Sequence, residues 1–156
     1  MTMSRTAARA APAADYRRRG RECAFANLKL MSRAMGSLYD EILEPSGLSA
    51  SELALLWAVI ALEPAPMSAL AAATLTDATT LSRTVLRLCD TGLCTIGHGD
   101  DRRMRLVATT ALGRRRFRAA MPHWERAQAL AADLVPLAAI ERLARHVRRQ
   151  RRADPR

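Results

Sequence analysis

The stretch from Met67 to Ala108, MSALAAATLTDATTLSRTVLRLCDTGLCTIGHGDDRRMRLVA, constrains the fold more than any other part of the chain. Its pattern predicts a short helix over Ser68–Ala73, a turn over Thr74–Asp77 and a second helix over Ala78–Thr91. Two strands follow, Cys94–Ile96 and Met104–Val107, joined by the charged tip Gly97–Arg103. Leu81, Val85 and Leu88 recur at helical spacing and give the second helix one buried stripe. Asp77 stands where its carboxylate can accept a hydrogen bond from a free amide of the first turn. Gly92 stands where such a helix stops.

That order of elements is a winged helix-turn-helix: a mainly α fold with a two-stranded β-wing. Thr79, Thr80, Arg83 and Arg87 lie largely away from the apolar stripe, and Ser82 adds another short donor. A helix with such a free face suits a DNA major groove, and an arginine-tipped hairpin suits the phosphate wall or minor groove beside it. The candidate DNA contacts are therefore Thr79, Thr80, Ser82, Arg83 and Arg87 on the helix and Arg102 and Arg103 on the wing. The competing reading for Arg83 and Arg87 is a salt bridge to Asp77, Asp90 or a partner-domain acid.

Charge bears on the partner. The chain of 156 residues carries 24 arginines and one lysine against 15 acids, a formal charge of +10, which calls for a polyanion. Aromatic residues make up only 4% of it, so the core must be aliphatic and alanine-rich, which favours helices. Cys23, Cys89 and Cys94 are an odd set without metal-ligand spacing, which fits a reducing cytoplasm and no disulfide framework. His98, His123 and His146 do not cluster, so no metal is expected. No phosphate loop, nucleophile elbow or acid pair is present, and neither an enzyme nor a cofactor is expected. The longest apolar run, Leu53–Leu62, is too short to cross a bilayer.

Four regions follow in chain order. Residues 1–18 read as a flexible basic tail. Residues 19–62 read as N-terminal helices: one long helix over Glu22–Glu44, with Leu28, Met31, Met35, Leu38 and Ile42 as a packing seam, then a helix capped by Ser49 and Glu52. Residues 63–108 hold the helix-turn-helix and wing, set off by Pro64 and Pro66. Residues 109–152 read as a long helix kinked at Pro122, with Arg114, Arg115, Arg116 and Arg118 crowding its start, and a last helix bearing Leu137, Ile140, Leu143 and Val147. The arginine cluster is open to two readings, an approach to phosphate or solvated side chains.

Five segments, in this order, resemble MarR-type transcriptional regulators: LYDEILEPSGLSASELALLWAV at Leu38–Val59, TTLSR at Thr79–Arg83, LCDTGL at Leu88–Leu93, DDRRMRL at Asp100–Leu106 and TTALG at Thr109–Gly113. The resemblance covers roughly Cys23–Arg148. It implies a homodimer built from the long N- and C-terminal helices and a near-palindromic double-stranded DNA operator, with half-sites roughly 34–36 Å apart. It implies a regulator, read here as a repressor, that answers to a small aromatic or phenolic ligand or to oxidation. Tyr39, Trp57 and Trp124 are the candidate pocket residues. Cys23, near a helix start and beside Arg21, is the redox candidate, against the reading of a small buried apolar residue. The rival class is a winged-helix protein-interaction module that no longer reads DNA, favoured by the low charge of Thr95–Gly97.

Overall fold

The computed structural model describes residues 13–99, 101 and 104–153. Arg102, Arg103 and most of the expected tail, residues 1–12, lie outside the described residues. The chain divides into two compact units, residues 1–35 and 36–156.

In the first unit, α1 (Ala13–Glu22) is followed at once by α2 (Ala24–Leu43), which runs on into the second unit. Two expectations change here. Residues 13–18 are helical rather than part of a flexible tail: Asp15 accepts from Arg18 and Arg19 at 2.7 Å each, pairs at helical spacing that support the turn. The single helix expected over Glu22–Glu44 is interrupted at Cys23. There the Cys23 amide donates to the Gly20 carbonyl at 3.4 Å and the Asn27 side chain donates to the Arg21 carbonyl at 2.7 Å. Local partners thus replace the helical ladder.

In the second unit, α2 ends in a short 3-10 turn, Glu44–Ser46, closed by Gly47 at φ 68°, a conformation that glycine adopts without strain. The next helix, α3 (Ala50–Leu62), begins with the expected capping box: the Glu52 carboxylate accepts from the Ser49 amide at 3.0 Å, and the Ser49 hydroxyl accepts from the Glu52 amide at 3.3 Å. Leu53, Leu55, Leu56 and Val59 are buried on several sides of α3, which makes it the central helix of the core.

The remaining elements are β1 (Ala65–Pro66), α4 (Met67–Thr74), α5 (Ala78–Asp90), β2 (Cys94–His98), β3 (Arg105–Thr109), α6 (Ala111–Leu134) and α7 (Leu137–Ala153). The wing is part of a three-stranded antiparallel sheet ordered β1-β3-β2, not an isolated pair. Ala65 pairs with Val107, and Pro66 with Leu106. Proline is tolerated there because β1 lies at the sheet edge. The hairpin proper pairs Cys94 with Thr109 through His98 with Arg105. Leu43, Leu48, Leu70, Leu81, Val85, Leu88 and Val107 join the α3 residues in one aliphatic core. The α6 helix runs unbroken through Pro122.

A half-buried acid fixes the sheet to the helices. Glu63, just past α3, accepts from the Thr109 amide at 2.7 Å and the Thr109 hydroxyl at 3.1 Å, and it pairs with Arg114 on α6. One carboxylate therefore ties three elements together. Among the described residues no single helix is long and apolar enough to cross a membrane.

Candidate functional site

The α5 helix has the two faces that its sequence requires. Leu81, Val85 and Leu88 are buried, while Thr79, Thr80, Arg83 and Arg87 are exposed and Ser82 is half-buried. Asp77 caps the helix, accepting from the Thr80 amide at 2.9 Å. That hydrogen bond, followed by one from the Thr80 side chain, holds the Asp77 carboxyl below its ordinary range. The folded pKa is depressed, so the cap is at full strength above the unfolded carboxylate pKa and weakens as pH falls through the folded one.

The two helix arginines differ. Among the described residues Arg83 has no carboxylate partner. Arg87 lies 3.6 Å from Glu52 on α3, so the acid beside it is neither Asp77 nor Asp90. Its side chain remains 61% exposed, and an exposed pair of this kind contributes at most about 1 kcal/mol. At the wing, the Gly99 amide donates to the Met104 carbonyl at 2.9 Å, and the Met104 amide to the Asp101 carbonyl at 2.8 Å. Arg105, which the sequence reading passed over, lines a cleft of about 410 Å³ with Ser68, Leu81 and Ser82 between the hairpin and α5. Its alternation within DDRRMRL was the available signal.

A second cavity, of about 660 Å³, gathers Tyr39, Trp57 and Trp124. The two indoles lie 5.2 Å apart, and Trp57 meets Phe117 edge-on at 5.5 Å. The Tyr39 hydroxyl hydrogen-bonds the Gln128 side-chain oxygen, and burial pushes its pKa up, which keeps it a neutral donor. Two further contributions were not anticipated from sequence. Arg148 of α7 supplies a cation, and Ala73 and Thr74 bring the end of α4 into the wall. Cavity and α5 are thus close in the chain: only Leu75, Thr76 and the capping Asp77 separate Thr74 from α5. Leu75 itself holds a left-handed conformation, φ 52°, at the α4 terminus.

The cysteines separate by environment. Cys23 is exposed at the break before α2, not buried. Cys94 is buried, and burial, then the charges of Cys89 and Glu63, pushes its thiol pKa up to about 12. Cys89 is half-buried and also shifted up by burial. A thiol with a raised pKa is a poor nucleophile. Among the described residues no group of His, Cys, Asp and Glu could hold a metal ion.

No family model matches the chain, and no curated protein matches it. Solved structures do. The M. tuberculosis transcriptional regulator MosR in complex with DNA is 32% identical with a TM-score of 0.73, over 84% of this chain and 97% of that one. BpsR of Bordetella bronchiseptica, whose DNA binding is regulated by 6-hydroxynicotinic acid, is 25% identical with a TM-score of 0.70, over 81% of this chain and 93% of that one. A MarR-family regulator from Rhodococcus sp. RHA1 shares the fold at 21% identity and a TM-score of 0.66, over 84% and 92%.

Proposed function

The chain belongs to the MarR family of winged helix-turn-helix transcriptional regulators, and from that premise we propose that it is a cytoplasmic, homodimeric repressor released from its operator by a small aromatic acid. The observation that carries the DNA reading is the exposed Thr79–Thr80–Arg83 face of α5, capped at its N-terminus and backed by a fully apolar stripe. Arg83 has a guanidinium without a carboxylate partner among the described residues, free for a bidentate contact to guanine. Thr79, Thr80 and Ser82 suit nearby phosphates and base edges, and Arg87 divides between Glu52 and phosphate. Arg102 and Arg103 are assigned to phosphate or minor-groove contact from the sequence. An intact basic face favours this reading over a protein-interaction module.

The test uses duplex DNA flanking the protein's own gene. The logarithm of affinity should fall linearly with the logarithm of salt concentration. Arg83→Ala should cost about 1–3 kcal/mol on that duplex and much less on random DNA. A flat salt response removes DNA binding, and equal losses on both duplexes reassign Arg83 to phosphate.

The cavity supports the ligand reading. Its walls are aromatic, Tyr39 offers a hydroxyl, and Arg148 is the cation, which together suit a planar acid such as a hydroxybenzoate. An occupant would press on Ala73 and Thr74. Binding better to one setting of α4 than to another would shift the adjoining α5 and so change DNA affinity. Salicylate and 4-hydroxybenzoate should quench tryptophan fluorescence saturably and weaken the DNA complex. Arg148→Ala should reduce their affinity about tenfold, the loss of one charge-assisted contact, while leaving phenol unaffected. Loss of DNA binding with mild hydroperoxide, but not with these acids, would transfer the sensing role to the exposed Cys23.

A further inference from the structure

The arginine cluster at the start of α6 is resolved by its partners into separate roles. Arg114 is engaged with Glu63. Arg116 crosses to the 3-10 turn, where its Nη1 donates to the Ser46 carbonyl at 3.1 Å. That turn is itself well held: Ser46 is buried, its hydroxyl donates to the Leu43 carbonyl at 2.6 Å and accepts from the Leu48 amide at 3.3 Å. Gly47 leaves room for the guanidinium, since a side-chain carbon there would stand 2.9 Å from the Arg116 Nη1. Arg116 is therefore an exposed cation held in place by one of its donors.

Beside it lies a groove of about 330 Å³ lined by Pro45, Ser46, Leu112, Arg115, Arg116 and His123. Among the described residues neither arginine nor His123 forms an ion pair, and Glu44, the nearest acid in sequence, does not line the groove. Two guanidiniums on adjacent residues with no acid between them leave two uncompensated positive charges. That matches a dianion rather than a carboxylate. One guanidinium has several donors besides the one given to Ser46, so three phosphate oxygens can be met by Arg115, Arg116 and the imidazole together. Pro45 and Leu112 add an apolar flank suited to the organic part of the molecule.

We propose that this groove binds the phosphate group of a small phosphate monoester, at a site separate from both the α5 face and the aromatic cavity. A backbone phosphate of DNA has related chemistry but a single charge, and the test separates the two. Adenosine 5′-monophosphate, inorganic phosphate and adenosine are titrated calorimetrically at constant ionic strength. The monoester should bind saturably, inorganic phosphate more weakly, and adenosine not at all. Arg115→Gln, at an exposed position, and His123→Asn should each weaken the monoester about tenfold or more, the scale of one charge-assisted hydrogen bond. Arg83→Ala should leave that binding unchanged. Absence of saturable binding overturns the proposal, as does equal binding by Arg115→Gln or loss with Arg83→Ala. A fall of about one in the DNA salt slope of Arg115→Gln would assign the groove to the operator backbone and also overturn it.

Discussion

Gly113→Ala should destabilise the protein by about 3 kcal/mol or more and lower its melting temperature by roughly 10 °C. The usual expectation has the opposite sign, because alanine is favoured over glycine inside a helix by about 1 kcal/mol. Packing decides the matter. Thr110 caps α6, accepting from the Gly113 amide at 2.9 Å, while its own amide donates to the Leu93 carbonyl at 3.0 Å and its hydroxyl to the Gly92 carbonyl at 2.7 Å. These bonds lay the first turn of α6 across the α5–β2 turn. A side-chain carbon on Gly113 would stand 2.0 Å from the Leu93 carbonyl oxygen and 3.0 Å from its carbon. Both are backbone atoms and cannot rotate away, so the helix start must shift and the capping bonds must stretch. Gly20→Ala is the control: nothing lies within 4 Å of its added carbon, and it should be neutral or slightly stabilising. Thermal melts of the two variants followed by circular dichroism decide. A Gly113→Ala protein as stable as Gly20→Ala would mean that α6 does not pack on Leu93 as described.

The same glycine marks where sequence reading stops. Its place in the first turn of a helix was legible, but its reason, a carbonyl twenty residues earlier in the chain, was not. Local signals were read well where they are local. Asp77 as cap, the Leu81–Val85–Leu88 stripe and the Ser49–Glu52 capping box each depend on residues within one or two turns of one another, and the hairpin pairs neighbouring strands across a short tip. The β1 strand was invisible because two residues have no period, and its pairing depends on β3 some forty positions away. The break at Cys23 carries no proline or glycine at the break itself, and it precedes the apolar seam that starts at Leu28, so nothing in the pattern marked it.

The site divides along the same line. The α5 face was legible from helical spacing alone, since polar residues opposite an apolar stripe must face outward. The Arg87–Glu52 pair was not, because the two residues meet only after α3 packs on α5. Tyr39, Trp57 and Trp124 were singled out through family resemblance, and periodicity alone would have left them as core. Arg148 sits on a helix whose sequence offers many equivalent arginines, and only the packed cavity distinguishes it.

Leu143→Glu should abolish assembly, giving aggregated or unfolded protein at micromolar concentration. The chain by itself does not account for such an effect. Leu143 is 50% exposed, and a charge at an exposed position ordinarily changes stability by no more than about 0.5 kcal/mol. The argument comes from its neighbours on α7 and at the end of α6. Ile140 and Val147 flank it at helical spacing, and Leu130 and Leu134 are likewise exposed, so this region presents large aliphatic side chains to water. In the first unit Phe25, Leu28, Leu30 and Met31 do the same on α2. Burying a Leu-sized side chain contributes about 1.5–3 kcal/mol, so leaving this many in water forgoes more than the typical net stability of a domain. A second copy of the chain is the partner that would cover them. An unpaired carboxylate forced into that seam would cost several kcal/mol, and an obligate dimer often has no stable monomer to fall back on. Sedimentation velocity should give a dimer for the unmodified chain, with a melting temperature that rises with concentration. A soluble, folded Leu143→Glu monomer that melts at the wild-type temperature would show that these faces are not the assembly surface.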